Sequence, residues 1–277
     1  MKTYINTVCN LIIRKCLVSN LSRVTFVILM ILMTTLANAD FSTGFESSEG
    51  FVAASTFVGV DGWTVYSGYD SRGTVWNDVI PGAKVGNQYA KIYGGSFNTT
   101  STAGFNRLLD ASERIGDGRN NIWSTSASVW MAVGNADAGN NFGGIYFSDS
   151  DGKDAAVAGF MGDKFAYFNG GTLVPSAYIC SANTWYLFEF TIKCTGSGFA
   201  DTYDMTVRNS DGSEVFSITD KYFRASGEVD YIDNIKIFSG RAPANVTGWP
   251  DIGTIYFDQI ELPDIPPPPS GTVIVVE

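Results

Sequence analysis

The strongest constraint on this chain is a two-residue rhythm. From residue 88 onward it falls into short runs of alternating apolar and polar residues. They include QYAKIYG (88–94), SASVWMAVG (126–134), KFAYFNG (164–170), WYLFEFTIK (185–193), TYDMTVRN (202–209), EVFSITD (214–220) and TIYFDQIEL (254–262). Gly, Asn, Asp or Ser cut the runs apart. Successive side chains of a strand point to opposite faces, so such runs make half-buried strands, whereas a helix repeats its apolar positions every three to four residues. Many short strands at close spacing predict an all-β, two-sheet antiparallel jelly-roll sandwich in a single domain. One segment, NRLLDASERI (106–115), offers a short helix or turn. NSDGSEV (209–215) carries Asp-Gly between two runs, a hairpin signal.

The same alternation assigns faces. Tyr203, Met205 and Val207 point one way, and Asp204, Thr206 and Arg208 the other. Tyr186, Phe188, Phe190 and Ile192 stand opposite Trp185, Leu187, Glu189 and Lys193. The first set of each pair belongs between the sheets.

The chain opens with Lys2, Arg14, Lys15 and Arg23, then the apolar stretch VTFVILMILMTTLANA (24–39) before Asp40. Basic residues, an apolar core and a small-residue end make a secretory signal peptide over 1–39. The strictly apolar part, Val24 to Met33, is short for a membrane span. Cleavage after Ala39 would leave the domain at 40–262, a Pro-rich linker or tail at 263–277, and a secreted, periplasmic or cell-surface protein without membrane insertion. It would also remove four basic residues and no acids, moving the formal charge from −10 to −14. Such a protein does not seek nucleic acid or anionic polysaccharide by simple electrostatics. There is no histidine, which excludes a Ser-His-Asp triad and most zinc sites. Only Cys180 and Cys194 would remain. The extended run between them would hold them about 30 Å apart, so they are expected as two buried thiols unless the strand bends back.

GEVDYIDNIKIF (227–238) contains Glu228, Asp230 and Asp233. Read as one strand, it puts Glu228 and Asp230 on the wet face and Asp233 on the other. Carboxylates on a strand are the equipment of a glycosidase, and the phrase resembles the E-x-D-x-x-E signature of laminarinase-type glucanases, with Asp in place of the last Glu. A second copy gives another account. YIDNIKI (231–237) matches YFDQIEL (256–262), with the Asp read onto the same face as the two aliphatics after it. A carboxylate at the rim of a core must be hydrogen-bonded or hold a cation.

The phrases TGFESSEGF (43–51), YFDQIEL and ANTWYLFEFTIK with DTYDMTVRNSDGSEVF (182–216) resemble the opening, closing and paired strands of the concanavalin A-like lectin/glucanase superfamily, in particular its jelly-roll carbohydrate-binding modules. The resemblance implies a jelly roll over most of 41–262. It implies a structural Ca²⁺ between the opening acid, Glu46, and the closing acid, Asp258. It implies a polysaccharide or glycan partner. Sugar rings stack on aromatic side chains while polar groups read their hydroxyls. GVDGWTVYSGYDSRGTVWND (59–78) gathers Tyr66, Tyr69 and Trp76 for that role, and Trp249 could add a platform. Three functions follow as expectations: a lectin-like glycan-binding module without catalysis; a glycoside hydrolase or polysaccharide lyase on the same sandwich, using Glu228, Asp230 and Glu189; or a non-sugar adhesion module.

Overall fold

The computed structural model describes residues 41–67, 73–92, 103–111, 113–116, 122–134, 142–195, 200–224, 229–240 and 254–263. All lie in one compact unit, Ala39–Glu277. The strands, in chain order, are β1 (Phe41–Thr43), β2 (Trp63–Ser67), β3 (Gly73–Trp76), β4 (Tyr89–Ile92), β5 (Ala103–Leu108), β6 (Trp123–Val133), β7 (Phe142–Ser148) and β8 (Asp154–Met161). They continue with β9 (Lys164–Asn169), β10 (Thr172–Ile179), β11 (Tyr186–Cys194), β12 (Thr202–Asn209), β13 (Glu214–Tyr222), β14 (Asn234–Ser239) and β15 (Ile255–Leu262).

They form two antiparallel sheets packed as a sandwich. The first runs β13-β12-β11-β6-β15-β4-β3, with β1 on β15, and the second runs β10-β9-β8-β7-β14-β5-β2. The opening strand thus lies on the closing one, Phe41 opposite Leu262. Period-two patterning holds where it is cleanest. Tyr186, Phe188, Phe190 and Ile192 of β11 and Tyr203, Met205 and Val207 of β12 are all buried between the sheets. Phe45, Phe57, Trp63 and Phe105 fill one end of the core, with ring centroids 4.8–5.8 Å apart. Gly73 is required there, since a Cβ would lie 2.6 Å from the rings of Phe57 and Phe105. The predicted hairpin joins β12 to β13, with Gly212 at φ +85° and the Asn209 N–H donating to the Ser213 carbonyl at 2.9 Å.

Three local expectations change. First, of the helix or turn offered by 106–115 it is the turn that forms, and only after the strand: Asn106, Arg107 and Leu108 belong to β5, paired with β14. Arg107 is buried, and the Glu113 carboxylate folds back onto it at 2.8 and 2.9 Å, closing a turn instead of a helix. Second, the strand containing 227–238 begins only at Asn234. Ile232, placed by alternation on the wet face, is a core residue carried by an isolated bridge to Ile115. Third, Asp258 does not share a face with Ile260 and Leu262. A register shift between Asp258 and Glu261, with Gln259 at φ +46°, inserts one extra residue, so Phe257, Ile260 and Leu262 face the core while Asp258 faces outward with Tyr256. Cys180 and Cys194 are both buried free thiols.

Candidate functional site

The polar halves of β12, β11, β6 and β15 make a groove on the outer face of the first sheet. The register places Thr206, Glu189, Ser128 and Glu261 in one row across β12, β11, β6 and β15, and Asp204, Thr191 and Ser126 in the row beside it. These side chains, with Pro263, line a cavity of about 410 Å³. Hydroxyls both donate and accept, and carboxylates accept, so the floor can read either end of an O–H group. Glu189 accepts from Arg208 Nε at 2.6 Å. Lys193 Nζ lies 2.6 Å from Asp204 and 3.3 Å from Asp220. Glu261 accepts from Ser128 Oγ at 3.3 Å and from Gln259 Nε2 at 2.8 Å.

The same face continues into an aromatic end. Trp130 lies two residues beyond Ser128 on β6, and Tyr256 pairs with Ala132. Tyr256, Tyr89 and Trp185 pack together, Tyr89 lying 5.5 Å from Tyr256 and 5.9 Å from Trp185, with Trp76 and Trp130 half-buried against them. Trp185 Nε1 donates to the Gly82 carbonyl at 2.8 Å, and Trp76 Nε1 to Thr74 Oγ1. Lys91 Nζ sits 4.1 Å over the Trp76 ring, and Lys84 Nζ sits 4.3 Å over Trp130.

The loop 82–88 covers this end and is held by two carboxylates. Asp258 Oδ2 accepts the Lys84 and Val85 N–H groups at 2.7 and 2.9 Å. Glu46 Oε1 accepts those of Asn87 and Gln88 at 2.7 and 2.9 Å. Gly86, at φ +67°, makes room for Glu46: a Cβ there would fall 2.1 Å from Oε1. Gly44 lies against both acids, its ideal Cβ position being 3.5 Å from Glu46 Cγ and 4.0 Å from Asp258 Oδ1. Asp258 is fully buried, yet its Oδ1 has no hydrogen-bond partner, and neither has the buried Oε1 of Gln88. Burial pushes the Asp258 carboxyl up to about 7, against the backbone N–H groups that favour its charge, and Glu46 adds to the rise. Two backbone-anchored carboxylates with an orphaned buried oxygen and only oxygen donors suit a hard cation such as Ca²⁺. Among the described residues no three acidic, cysteine or histidine side chains converge, so further ligands would be carbonyl, amide or water oxygens.

The structure sorts the predicted residues by sheet. Glu189 and Trp76 share the outer face of the first sheet; Tyr66 does not. It lies on β2 of the second sheet, stacked on Phe238 with centroids 6.4 Å apart. Asp230 precedes β14, its backbone against Gly116, and it is not among the residues that line the groove with Glu189. Asp233 accepts from Ser150 Oγ at 3.0 Å. Tyr69, Trp249 and Glu228 lie outside the described residues. The groove's Ser126, Ser128, Thr191, Thr206 and Glu261 and the aromatics Trp130 and Tyr256 were not singled out from sequence. Their signal was the polar half of the alternation, which becomes a site only when register aligns it.

No protein-family model matches this chain, and no curated protein matches its sequence. Solved structures do resemble it. Alginate lyase Aly36B, determined in complex with alginate trisaccharide, aligns at TM-score 0.51 and 14 % identity, over 83 % of this chain and 100 % of that one. The marine PL-14 alginate lyase from Aplysia kurodai gives 0.50 and 10 %, over 71 % and 88 %. A sialidase gives 0.50 and 13 %, over 82 % of this chain and only 18 % of the sialidase. At such identities the likeness shows a shared two-sheet sandwich and nothing of the chemistry.

Proposed function

We propose that this chain is an exported glycan-binding module of the concanavalin A-like type, which holds an oligosaccharide in the groove across β12, β11, β6 and β15 without cleaving it. One observation carries this reading: rows of hydroxyls and carboxylates in an open groove run into half-buried indole rings on the same sheet face. That is the division of labour a sugar needs, with polar groups for its hydroxyls and aromatic faces for its C–H surfaces. The sialidase and alginate lyases of the same fold fit a glycan partner. Glu46 and Asp258 would hold a calcium ion that fixes the 82–88 loop against the aromatic end, so the metal would shape the site and take no part in chemistry. Residues 1–39 would direct export and be removed.

The way the acids are used supports the non-catalytic reading. Glu189 is paired with Arg208, and Asp230 is not among the residues lining the groove. Hydrolysis is a second reading favoured by one fact, that Glu189 and Glu261 flank Ser128 in a single row. Two strand spacings put their backbones about 10 Å apart, near the separation of an inverting pair. The test is a glycan array probed with the secreted protein and its Ser128→Tyr variant. Ser128 faces outward from the groove floor, so the ring fills the groove without entering the core. Binding should be lost in the variant with its melting temperature kept. Retained binding in a folded Ser128→Tyr protein would remove the groove from the function. Release of reducing ends, abolished by Glu261→Gln, would replace binding by hydrolysis.

A further inference from the structure

We infer that the groove accepts an uncharged glycan lying across the strands and excludes polyuronates; this rests on the groove being the binding site. Every charged side chain lining the cavity is a carboxylate: Glu189, Asp204 and Glu261. Among the described residues the two cations beside these rows are already engaged, and Lys84 and Lys91 stand apart from them over Trp130 and Trp76 at the aromatic end. Arg208 is on Glu189, and Lys193 is shared by Asp204 and Asp220. Four carboxylates against two cations leave a local charge of −2. Among the described residues Glu261 meets only neutral donors, Ser128 Oγ and Gln259 Nε2.

The row Glu261–Ser128–Glu189–Thr206 spans three strand spacings, about 14 Å, enough for a short oligosaccharide crossing the strands. A chain in that orientation passes Glu261 and Glu189 in one row and runs beside Asp204 in the next. Neutral sugar hydroxyls can donate to these oxygens, and hydrogen bonds to a carboxylate are about twice as strong as neutral ones. A uronate lying along these rows would bring its own carboxylate against them where, among the described residues, both adjacent cations are already paired, and repulsion of this kind is how a site rejects a near-isostere. The fold is therefore shared with alginate lyases while the floor is built against their kind of polymer.

The experiment is affinity electrophoresis of the secreted full-length protein through gels containing soluble β-1,3-glucan, β-1,4-mannan, xyloglucan or alginate. Wild type, Ser128→Tyr and Glu261→Lys are run at low and high ionic strength. Retention on at least one neutral polymer is expected, lost in Ser128→Tyr, with alginate held at least about tenfold more weakly. Glu261→Lys, a change at an exposed position, should strengthen alginate retention about threefold or more at low ionic strength, an effect that salt erases. Wild-type retention on alginate equal to that on the neutral polymers, abolished by Ser128→Tyr, would overturn the charge inference and leave the groove standing. Neutral retention untouched by Ser128→Tyr, or retention on none of the four, would overturn the groove itself and this inference with it.

Discussion

Replacing Asp258 by Asn separates two effects that the wild type couples. Asparagine keeps an acceptor oxygen for the Lys84 and Val85 N–H groups but removes the charge. Without calcium, that charge is costly: burial raises the carboxyl from 3.8 to about 7. A shift of about three units corresponds to ~4 kcal/mol between the folded and unfolded chains. The folded state then binds more protons than the unfolded one between about pH 4 and about 7. Calcium-free stability is therefore highest below the unfolded pKa and is lost as pH rises through the folded one. In EDTA at pH 8, Asp258→Asn should melt roughly 10 °C above the wild type, at 2–4 °C per kcal/mol for a domain of this size. In calcium the order should narrow or invert. A bound ion stabilises the wild type by about 2.7 kcal/mol at a hundredfold excess over its Kd, and an uncharged amide binds it less well. Thermal melts by circular dichroism at pH 5 and pH 8, with EDTA and with calcium, decide the matter. An Asn variant that melts below the wild type in EDTA at pH 8 would refute the reasoning. So would a wild-type melt that ignores both pH and EDTA.

Gly86→Ala should also break the loop anchor, because φ +67° and the 2.1 Å approach to Glu46 leave no place for a methyl group. The expected loss is about 2 kcal/mol or more in urea unfolding, with calcium sensitivity gone. Tyr203→Phe removes a buried hydroxyl that donates to the Phe168 carbonyl at 2.5 Å, with the Val157 carbonyl 3.2 Å away, and should cost about 1–2 kcal/mol by the same assay with glycan retention unchanged. Burial pushes the Cys180 thiol up to about 12, so at pH 8 iodoacetamide should leave the native protein unlabelled and modify both Cys180 and Cys194 once it is unfolded. Sequencing of exported material should begin at Asp40, and an intact Met1 chain in the membrane fraction would contradict the proposed leader.

What could be read from sequence was whatever depends on neighbours along the chain. β11 and β12 alternate without interruption, so their core-facing residues follow from the sequence, and the Asp-Gly turn announces the hairpin to β13. What depends on partners across the sheet could not be read. Ser126, Ser128 and Glu261 are unremarkable polar residues until register sets them beside Glu189 and Thr206, and the sheet order that does so joins β6 to β15 across more than a hundred residues. The acidic phrase at 227–238 misled for the same reason. Alternation sets its acids on one continuous strand, whereas the strand starts at Asn234 and its sheet is not the one that carries the groove. Asp258 shows how small the decisive feature can be. Strict alternation from Ile260 and Leu262 turns it toward the core, and the single extra residue at Gln259 turns it outward, under the 82–88 loop and within reach of the region held by Glu46. A bulge adds twist and re-aims one side chain while leaving the aliphatic pattern on both sides intact, so apolar periodicity carries no trace of it. The pairing of Glu46 with Asp258 came from the resemblance to a family. That the two carboxylates each accept successive amides of one loop is visible only in three dimensions.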